Sequence, residues 1–128
     1  MLLIPPNQPR LTTPHAVDID HIVPLAWAWR HGADKWAREQ RISFANDPDN
    51  LIVAGSASNR SKGARGPDEW MPANVATWTD YLDRFEGVVD VYQLDINDIE
   101  ATAFKCLRRQ GRRHRKGIRL DKLESCEQ

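Results

Sequence analysis

A carboxylate and an imidazole stand side by side in the segment 18–24, where Asp20 precedes His21 within a run of β-branched residues. Two asparagines, Asn50 and Asn59, follow along the chain. Asp20 and Asn59 offer carboxylate and amide oxygens, the ligands that Mg²⁺ prefers. A neutral imidazole such as that of His21 can take a proton from an attacking water, and Asn50 can hydrogen-bond the backbone that presents it. The four residues predict metal-dependent hydrolysis of a phosphodiester, with His21 and Asn50 catalytic and Asp20 and Asn59 on the metal.

Positive charge for binding phosphate is available in two places. Arg60 and Lys62 follow Asn59 closely and can meet phosphate oxygens. The segment 105–119 holds eight basic residues and no acidic one, whereas the rest of the chain has 10 basic and 18 acidic residues, a net charge of −8. Such a run favours sequence-independent contact with nucleic acid over the alternative of a solubilising tail. The expected nucleic-acid-binding residues in this run are Arg108, Arg109, Arg112, Arg113, Arg115 and Lys116.

The apolar pattern predicts two short strands separated by a helical excursion. The strands are expected at 16–23 and 51–54, and Pro24 ends the pairing of the first. Ser56 can cap a short helix that carries Asn59 in its first turn. The other helices are expected at 25–31, 33–45, 73–85 and 97–109.

One geometric conflict arises at the Asp-His doublet. Neighbouring side chains of a regular strand point to opposite faces, yet Asp20 and His21 must both reach one phosphate. We therefore expect the strand to bulge or to end at this point. Asp18 falls on the same face as Asp20, where it can either support the metal site or remain a solvated acid.

The two cysteines and the N-terminus bear on the cellular compartment. Cys106 and Cys126 lack the paired spacing of a zinc site, so we expect free thiols in a reducing compartment. The N-terminus has no charged start and no long apolar stretch, which argues against a signal peptide, and no segment has the length of a membrane span. These observations predict a cytoplasmic protein.

The motifs above resemble the HNH endonuclease family, and more narrowly its branch related to the C-terminal domain of modification-dependent restriction enzymes. The resemblance covers about residues 17–74 and rests on the segments 20–25, 44–48, 50–51, 59–63 and 67–70. It implies an α+β fold of the ββα-metal, or His-Me finger, type, with one divalent ion, Mg²⁺ or Mn²⁺, between a hairpin and a helix. It also implies that Asp20 and Asn59 hold the metal, that His21 is the general base and that Asn50 orients it. The implied substrate is DNA, cleaved to a 5′-phosphate and a 3′-hydroxyl.

With 128 residues, the chain is expected to form one domain with tails. We divide it into an extended arm at 1–15, an HNH nuclease domain with C-terminal helices at 16–104, and a basic C-terminal tail at 105–128. The five tryptophans are expected to pack in the core rather than to stack on bases. His15, His31 and His114 are expected to be exposed to solvent.

Two alternatives to a DNA endonuclease remain open. Members of this branch usually carry a longer segment upstream of the Asp-His doublet, and only 16 residues precede Val17 here. The chain can therefore be a DNA-binding module without catalysis. It can also be an RNase or toxin nuclease domain, because the same kind of site can attack RNA.

Overall fold

The fold is built on one antiparallel hairpin. The computed structural model describes residues 17–118 and residue 126. Within them, strand β1 (Val17–His21) pairs with strand β2 (Leu51–Gly55). Both strands lie close to the predicted positions.

Helices surround this hairpin. Among the described residues, the α-helices are α1 (Leu25–Arg30), α2 (Arg38–Ala45), α3 (Ser56–Lys62), α4 (Trp78–Tyr92) and α5 (Asp98–Arg115). Single-turn 3₁₀ helices cover Ala33–Lys35, Pro48–Asn50 and Val75–Thr77. The predicted α+β class is confirmed, and β1, β2 and α3 are compatible with a ββα unit. None of the helices between residues 17 and 118 combines the length and apolar character that a membrane span needs.

Two of the predicted helices begin with a 3₁₀ turn that the sequence pattern did not predict. The helix expected at 33–45 is interrupted where Trp36 and Ala37 adopt extended backbone, which lets the Trp36 ring pack on Phe44. The helix expected from residue 73 starts instead with a 3₁₀ turn, in which the Asn74 side chain accepts a hydrogen bond from the backbone N–H of Ala76.

The hydrophobic core lies directly behind the end of β1. Ile22 and Val23, which follow the Asp-His doublet, are both fully buried. The Phe85 ring on α4 makes edge contacts with Trp27 on α1 and Phe104 on α5, at centroid distances of 4.9 and 5.8 Å. Tight packing of this kind restricts movement, so the core fixes the exit of the chain from β1.

Helix α5 extends much further than the predicted helix. Its start is closed by a capping box, in which Asn97 and Glu100 each accept a hydrogen bond from the other's backbone N–H. It then runs to Arg115 and buries Leu107 and Gly111. A Cβ added at Gly111 would meet a side-chain atom of Thr79 at 3.1 Å, so glycine permits the close approach of α5 to α4. Residues 105–115 are therefore a packed helix rather than the tail drawn from residue 105.

The cysteines correct a second expectation. Cys106 on α5 and Cys126 form a disulfide, with their Cα atoms 5.7 Å apart. The prediction of two free thiols was wrong because sequence spacing carries no information about two positions that the fold brings into bonding range.

The tryptophans and histidines behave only partly as expected. Trp27 is buried in the core, and three other tryptophans are half-buried, but Trp29 is 50% exposed, with the Arg41 guanidinium 5.4 Å from its ring centroid. His31 is not an exposed surface residue: its ring stacks on Trp27, and its Nδ1 and Nε2 lie 2.7 Å from the Trp27 carbonyl and the Glu100 carboxylate. His114 is half-buried. His15 and the arm at 1–15 lie outside the described residues.

Candidate active site

Asn50 clamps the segment that leaves β1. It is completely buried, and its side chain bonds both backbone groups of Val23: Oδ1 accepts from the N–H at 2.8 Å, and Nδ2 donates to the carbonyl at 3.1 Å. The Asn50 carbonyl also accepts from the N–H of Ile22 at 2.9 Å. Asn50 thus holds the backbone at Ile22 through its carbonyl and at Val23 through its side chain, one and two residues beyond His21. This is the kind of contact expected from the sequence, while a part for Asn50 in catalysis stays a prediction.

The His21 ring is oriented by a backbone carbonyl. Its Nε2 lies 2.8 Å from the carbonyl oxygen of Ala45, at the end of α2. A carbonyl can only accept, so this contact assigns the proton of the neutral ring to Nε2. Nδ1 is then left with a free lone pair, which is the form that a general base needs.

Asp20 is held by a lysine from the neighbouring helix. Nζ of Lys62, the last residue of α3, donates to Asp20 Oδ2 at 2.7 Å and to the carbonyl of His21. The Lys62 side chain is only 2% exposed, and burial lowers its pKa from the ordinary lysine value, an effect partly offset by Asp20. The pair therefore neutralises most of the charge of Asp20 and leaves its Oδ1 without a protein partner among the described residues.

Asn59, on α3, is half-buried and lies beside a different carboxylate. Its Nδ2 donates weakly to Asp18 Oδ2, at 3.5 Å. The donor assignment leaves Asn59 Oδ1 without a partner within residues 17–118. Asp18 thus contacts a predicted metal ligand while remaining exposed, and both roles left open for it stay open.

A cleft of about 360 Å³ brings two of the four predicted site residues together. Asp20 from β1 and Asn59 from α3 both line it, along with residues of α4. His21 is not among the lining residues, because β1 keeps its regular alternation up to its last residue and no bulge turns the ring. The strand ends at the doublet, as one of the two expectations had it, but the two side chains do not converge on the cleft itself.

The donor chemistry of this cleft fits a hard divalent cation. Asp20 and Asn59 each present an oxygen that has no partner in the described part of the chain, and no sulfur or imidazole ligand competes among the lining residues. Within the described part of the chain, no three His, Cys, Asp or Glu side chains gather as a metal site would need. Mg²⁺ needs no such cluster, because one or two protein oxygens suffice when water and substrate phosphate complete its shell.

Several of the predicted nucleic-acid-binding residues are already engaged within the protein. Lys62 is buried against Asp20 and cannot face a phosphate as predicted, because α3 turns its last residue inward. Arg108 forms ion pairs with Asp83 and Glu86 on α4. Arg115 donates to Thr79 Oγ1 at 2.9 Å. The remaining predicted residues are exposed or, for Arg113, half-buried: Arg60, Arg109, Arg112, Arg113 and Lys116.

Helix α4 supplies cleft residues that the sequence motifs did not indicate. Tyr81 and Arg84 lie one turn apart on the face that lines the cleft. The Tyr81 hydroxyl is buried and has no hydrogen-bond partner among the residues that the structure describes, and burial raises the pKa of Tyr81 above the ordinary tyrosine value. Their spacing of three residues was the available signal, but it does not distinguish a cleft-lining face from an ordinary packed one.

A hairpin followed by a helix, with an Asp-His doublet at the end of the first strand and an asparagine on the helix, defines a nuclease-related ββα domain. The family described as "GmrSD restriction endonucleases, C-terminal domain" matches residues 5–82, and the chain belongs to this family. The resemblance inferred from the motifs is thereby confirmed, and the family is associated with restriction endonuclease domains.

One relative bears on localisation. An "Uncharacterized secreted protein" of Arthroderma benhamiae is 43% identical over 89 residues, which cover 68% of this chain and 44% of that protein. The chain therefore spans less than half the length of this relative. No solved structure matches the chain. The relative's description as secreted overturns the predicted cytoplasmic localisation, which had rested on the absence of a recognisable signal and on the supposed free thiols.

Proposed function

We propose that this protein is a metal-dependent endonuclease that hydrolyses DNA phosphodiester bonds at the end of β1. The observation that carries the proposal is the cleft in which Asp20 and Asn59 each keep an oxygen that no described residue contacts. Membership of a family associated with restriction endonucleases supports the same reaction class.

In this proposal His21 is the general base. Because Nε2 is bound by the Ala45 carbonyl, Nδ1 is the atom that accepts the proton of the attacking water. The Asn50 clamp on Val23 keeps the end of β1, and with it the His21 backbone, in place. In this proposal the scissile phosphate would lie at the end of the strand, where Asp20 faces the cleft and His21 stands on the opposite face of β1.

Asp20 and Asn59 would hold the divalent ion, with Mg²⁺ the best match to an all-oxygen set. When bound, the ion supplies Lewis-acid stabilisation of the charge that develops on the phosphate oxygens. Lys62 keeps the Asp20 carboxylate fixed and largely neutralised until then. The products expected from the family resemblance are a 5′-phosphate and a 3′-hydroxyl.

The C-terminal half of α5 is the proposed DNA-binding surface. Arg115 ties it to Thr79 in the first turn of α4, and the next two residues of that helix, Asp80 and Tyr81, line the cleft. The exposed Arg112 and Lys116 therefore lie beside the proposed site rather than at a remote end of the molecule. Contacts from these residues would be to phosphate and independent of sequence.

We further propose that the protein works outside the cell. The relative described as secreted and the Cys106–Cys126 disulfide both point to an oxidising compartment. A sequence relative and a covalent bond in the fold thus support the same compartment.

Supercoiled plasmid provides the test. We expect Mg²⁺-dependent conversion to nicked circles, abolished by chelation, and a loss of about 10²- to 10⁴-fold in rate for His21→Ala. Asp20→Asn should also lose activity, whereas Asp34→Asn, which removes an exposed carboxylate from a 3₁₀ turn, is the matched control and should cleave normally.

Equal nicking by wild type and His21→Ala would contradict the assigned base. Binding of DNA without any metal-dependent cleavage would select the non-catalytic alternative. Faster cleavage of single-stranded RNA than of duplex DNA would select the RNase alternative.

A further inference from the structure

The cleft needs a positive group for substrate phosphate that the sequence motifs did not identify. Its lining residues include two cations, Lys62 and Arg84. Lys62 is 2% exposed and bonded to Asp20, so it is not available to a ligand. Arg84, on α4, is exposed. Of the residues that line the cleft, Arg84 is therefore the cation that can meet an incoming phosphate.

Arg84 is already anchored next to the Asp-His doublet. One nitrogen of its guanidinium, Nη2, donates to the carbonyls of Asp49 and Leu51, both at 3.2 Å. Leu51 is the residue that pairs with His21 across the hairpin, and the next residue of β2 pairs with Asp20. The guanidinium thus lies beside the end of the hairpin at which the doublet stands.

The anchoring at Nη2 leaves the other two guanidinium nitrogens of Arg84 available to donate. Nε and Nη1 of Arg84 have no partner among the described residues. Arginine keeps its positive charge at any ordinary pH, and the free N–H groups on Nε and Nη1 can each donate to an oxygen of an incoming phosphate. Because the side chain is already held at Nη2, less conformational entropy is lost when it binds.

We infer that Arg84 is a substrate-binding residue that holds a backbone phosphate of DNA next to the scissile one. The inference rests on the proposed function, since it takes the cleft of Asp20 and Asn59 as the site of cleavage. It assigns to α4, which lies outside the motifs of the hairpin and α3, a direct part in holding the nucleic acid.

The test measures DNA binding separately from cleavage. A short fluorescent duplex is titrated with the His21→Ala protein at a series of KCl concentrations, with and without Arg84→Ala or Arg84→Lys. Removing one phosphate contact should weaken binding about 10- to 100-fold and make the slope of log K against log salt shallower by about one. Arg84→Lys keeps the charge but loses the planar group that is anchored on the two carbonyls, so it should keep the slope and recover only part of the affinity.

A matched control separates binding from structure. Arg84 also ties α4 to the segment before β2, and Tyr92 makes a second tie there through its hydroxyl, which donates to Asp47 Oδ2 at 2.6 Å. Tyr92 does not line the cleft. Tyr92→Phe should therefore leave affinity and salt slope unchanged.

An unchanged slope in Arg84→Ala, equal losses in Arg84→Ala and Tyr92→Phe, or no DNA binding by any of the proteins would each overturn the inference. The two proposals can fail separately. If the slope changes as expected but the protein with His21 intact does not nick plasmid, the binding role of Arg84 stands and the proposed catalysis is wrong.

Discussion

The buried contact between Lys62 and Asp20 gives the sharpest test of how the candidate site is built. Lys62→Met keeps an unbranched apolar stem in the 2% exposed position and removes the ammonium group. The Asp20 carboxylate, 15% exposed, then loses the cation that stood 2.7 Å away, and the carbonyl of His21 loses a donor. The variant therefore isolates the charge while preserving the packing.

The expected loss of folding stability is the balance between the attraction of the two charges and the cost of removing them from water. At 2.7 Å and an effective dielectric constant of about 20, the direct attraction is about 6 kcal/mol. Much of it is offset by the desolvation of Lys62, which is also what lowers its pKa. Breaking a fully buried pair costs about 3–5 kcal/mol, and the residual hydration of Asp20 places this case near the lower end, at about 3 kcal/mol.

Chemical unfolding of four proteins measures the interaction: wild type, Lys62→Met, Asp20→Asn and the double variant. Each single variant should be less stable, and the double variant should lose less than the sum, with a coupling free energy of about 2 kcal/mol. Mg²⁺ should raise the melting temperature of Lys62→Met, whose carboxylate is unpaired, and not that of the double variant. A coupling below about 0.5 kcal/mol would refute the reasoning, because contacting residues in one network couple by more than this.

Two further predictions concern the disulfide and a tyrosine on α4. Replacing Cys106 and Cys126 by serine opens a loop with a sequence separation of 20, which should lower the free energy of unfolding by about 3 kcal/mol in guanidinium titrations; no difference would mean that the bond does not form in solution. Burial, together with a hydrogen bond to a carboxylate, raises the pKa of Tyr92 to about 12. An unfolded chain releases this proton near pH 10, so the stability contributed by Tyr92 is complete below about pH 10 and is lost as the pH rises towards 12. The Tyr92→Phe variant should lack this loss of stability at alkaline pH. If wild type and Tyr92→Phe had the same dependence of unfolding free energy on pH, the prediction would be contradicted.

Local signals were sufficient for most of the fold. Alternating side chains located β1 and a short apolar run located β2, and the breaks at Pro24 and Gly55 fell where the strands end or the next helix begins. The end of β1 at the doublet was foreseen from the demand placed on Asp20 and His21. The local pattern did not predict the length of α5. The basic C-terminal half of α5 is helical because Leu107 and Gly111 pack on other elements.

The candidate site was predictable as a set of residues but not as an arrangement. Motif spacing identified Asp20 and Asn59, which do share a cleft. Motif spacing also assigned Lys62 to phosphate, whereas the structure buries it. The spacing could not show this, because the direction in which the last turn of a seven-residue helix faces depends on what packs there. It also missed Arg84, whose part depends on α4 lying against the edge of β2, a long-range contact that no local pattern records.

The uneven charge of the chain acquires a physical meaning once α4 and α5 are in place. The part of the chain outside 105–119 carries a net charge of −8 and by itself would repel DNA. Gly111 allows α5 to lie close against the start of α4, and Arg115 fastens the basic end of α5 to Thr79, next to the cleft. Arg84 lies further along α4 than Thr79, at the edge of the hairpin. In the proposed function, a DNA strand that follows α4 from Arg115 to Arg84 would pass the cleft of Asp20 and Asn59, and the packing of α5 on α4 would give the acidic body a path for a polyanion.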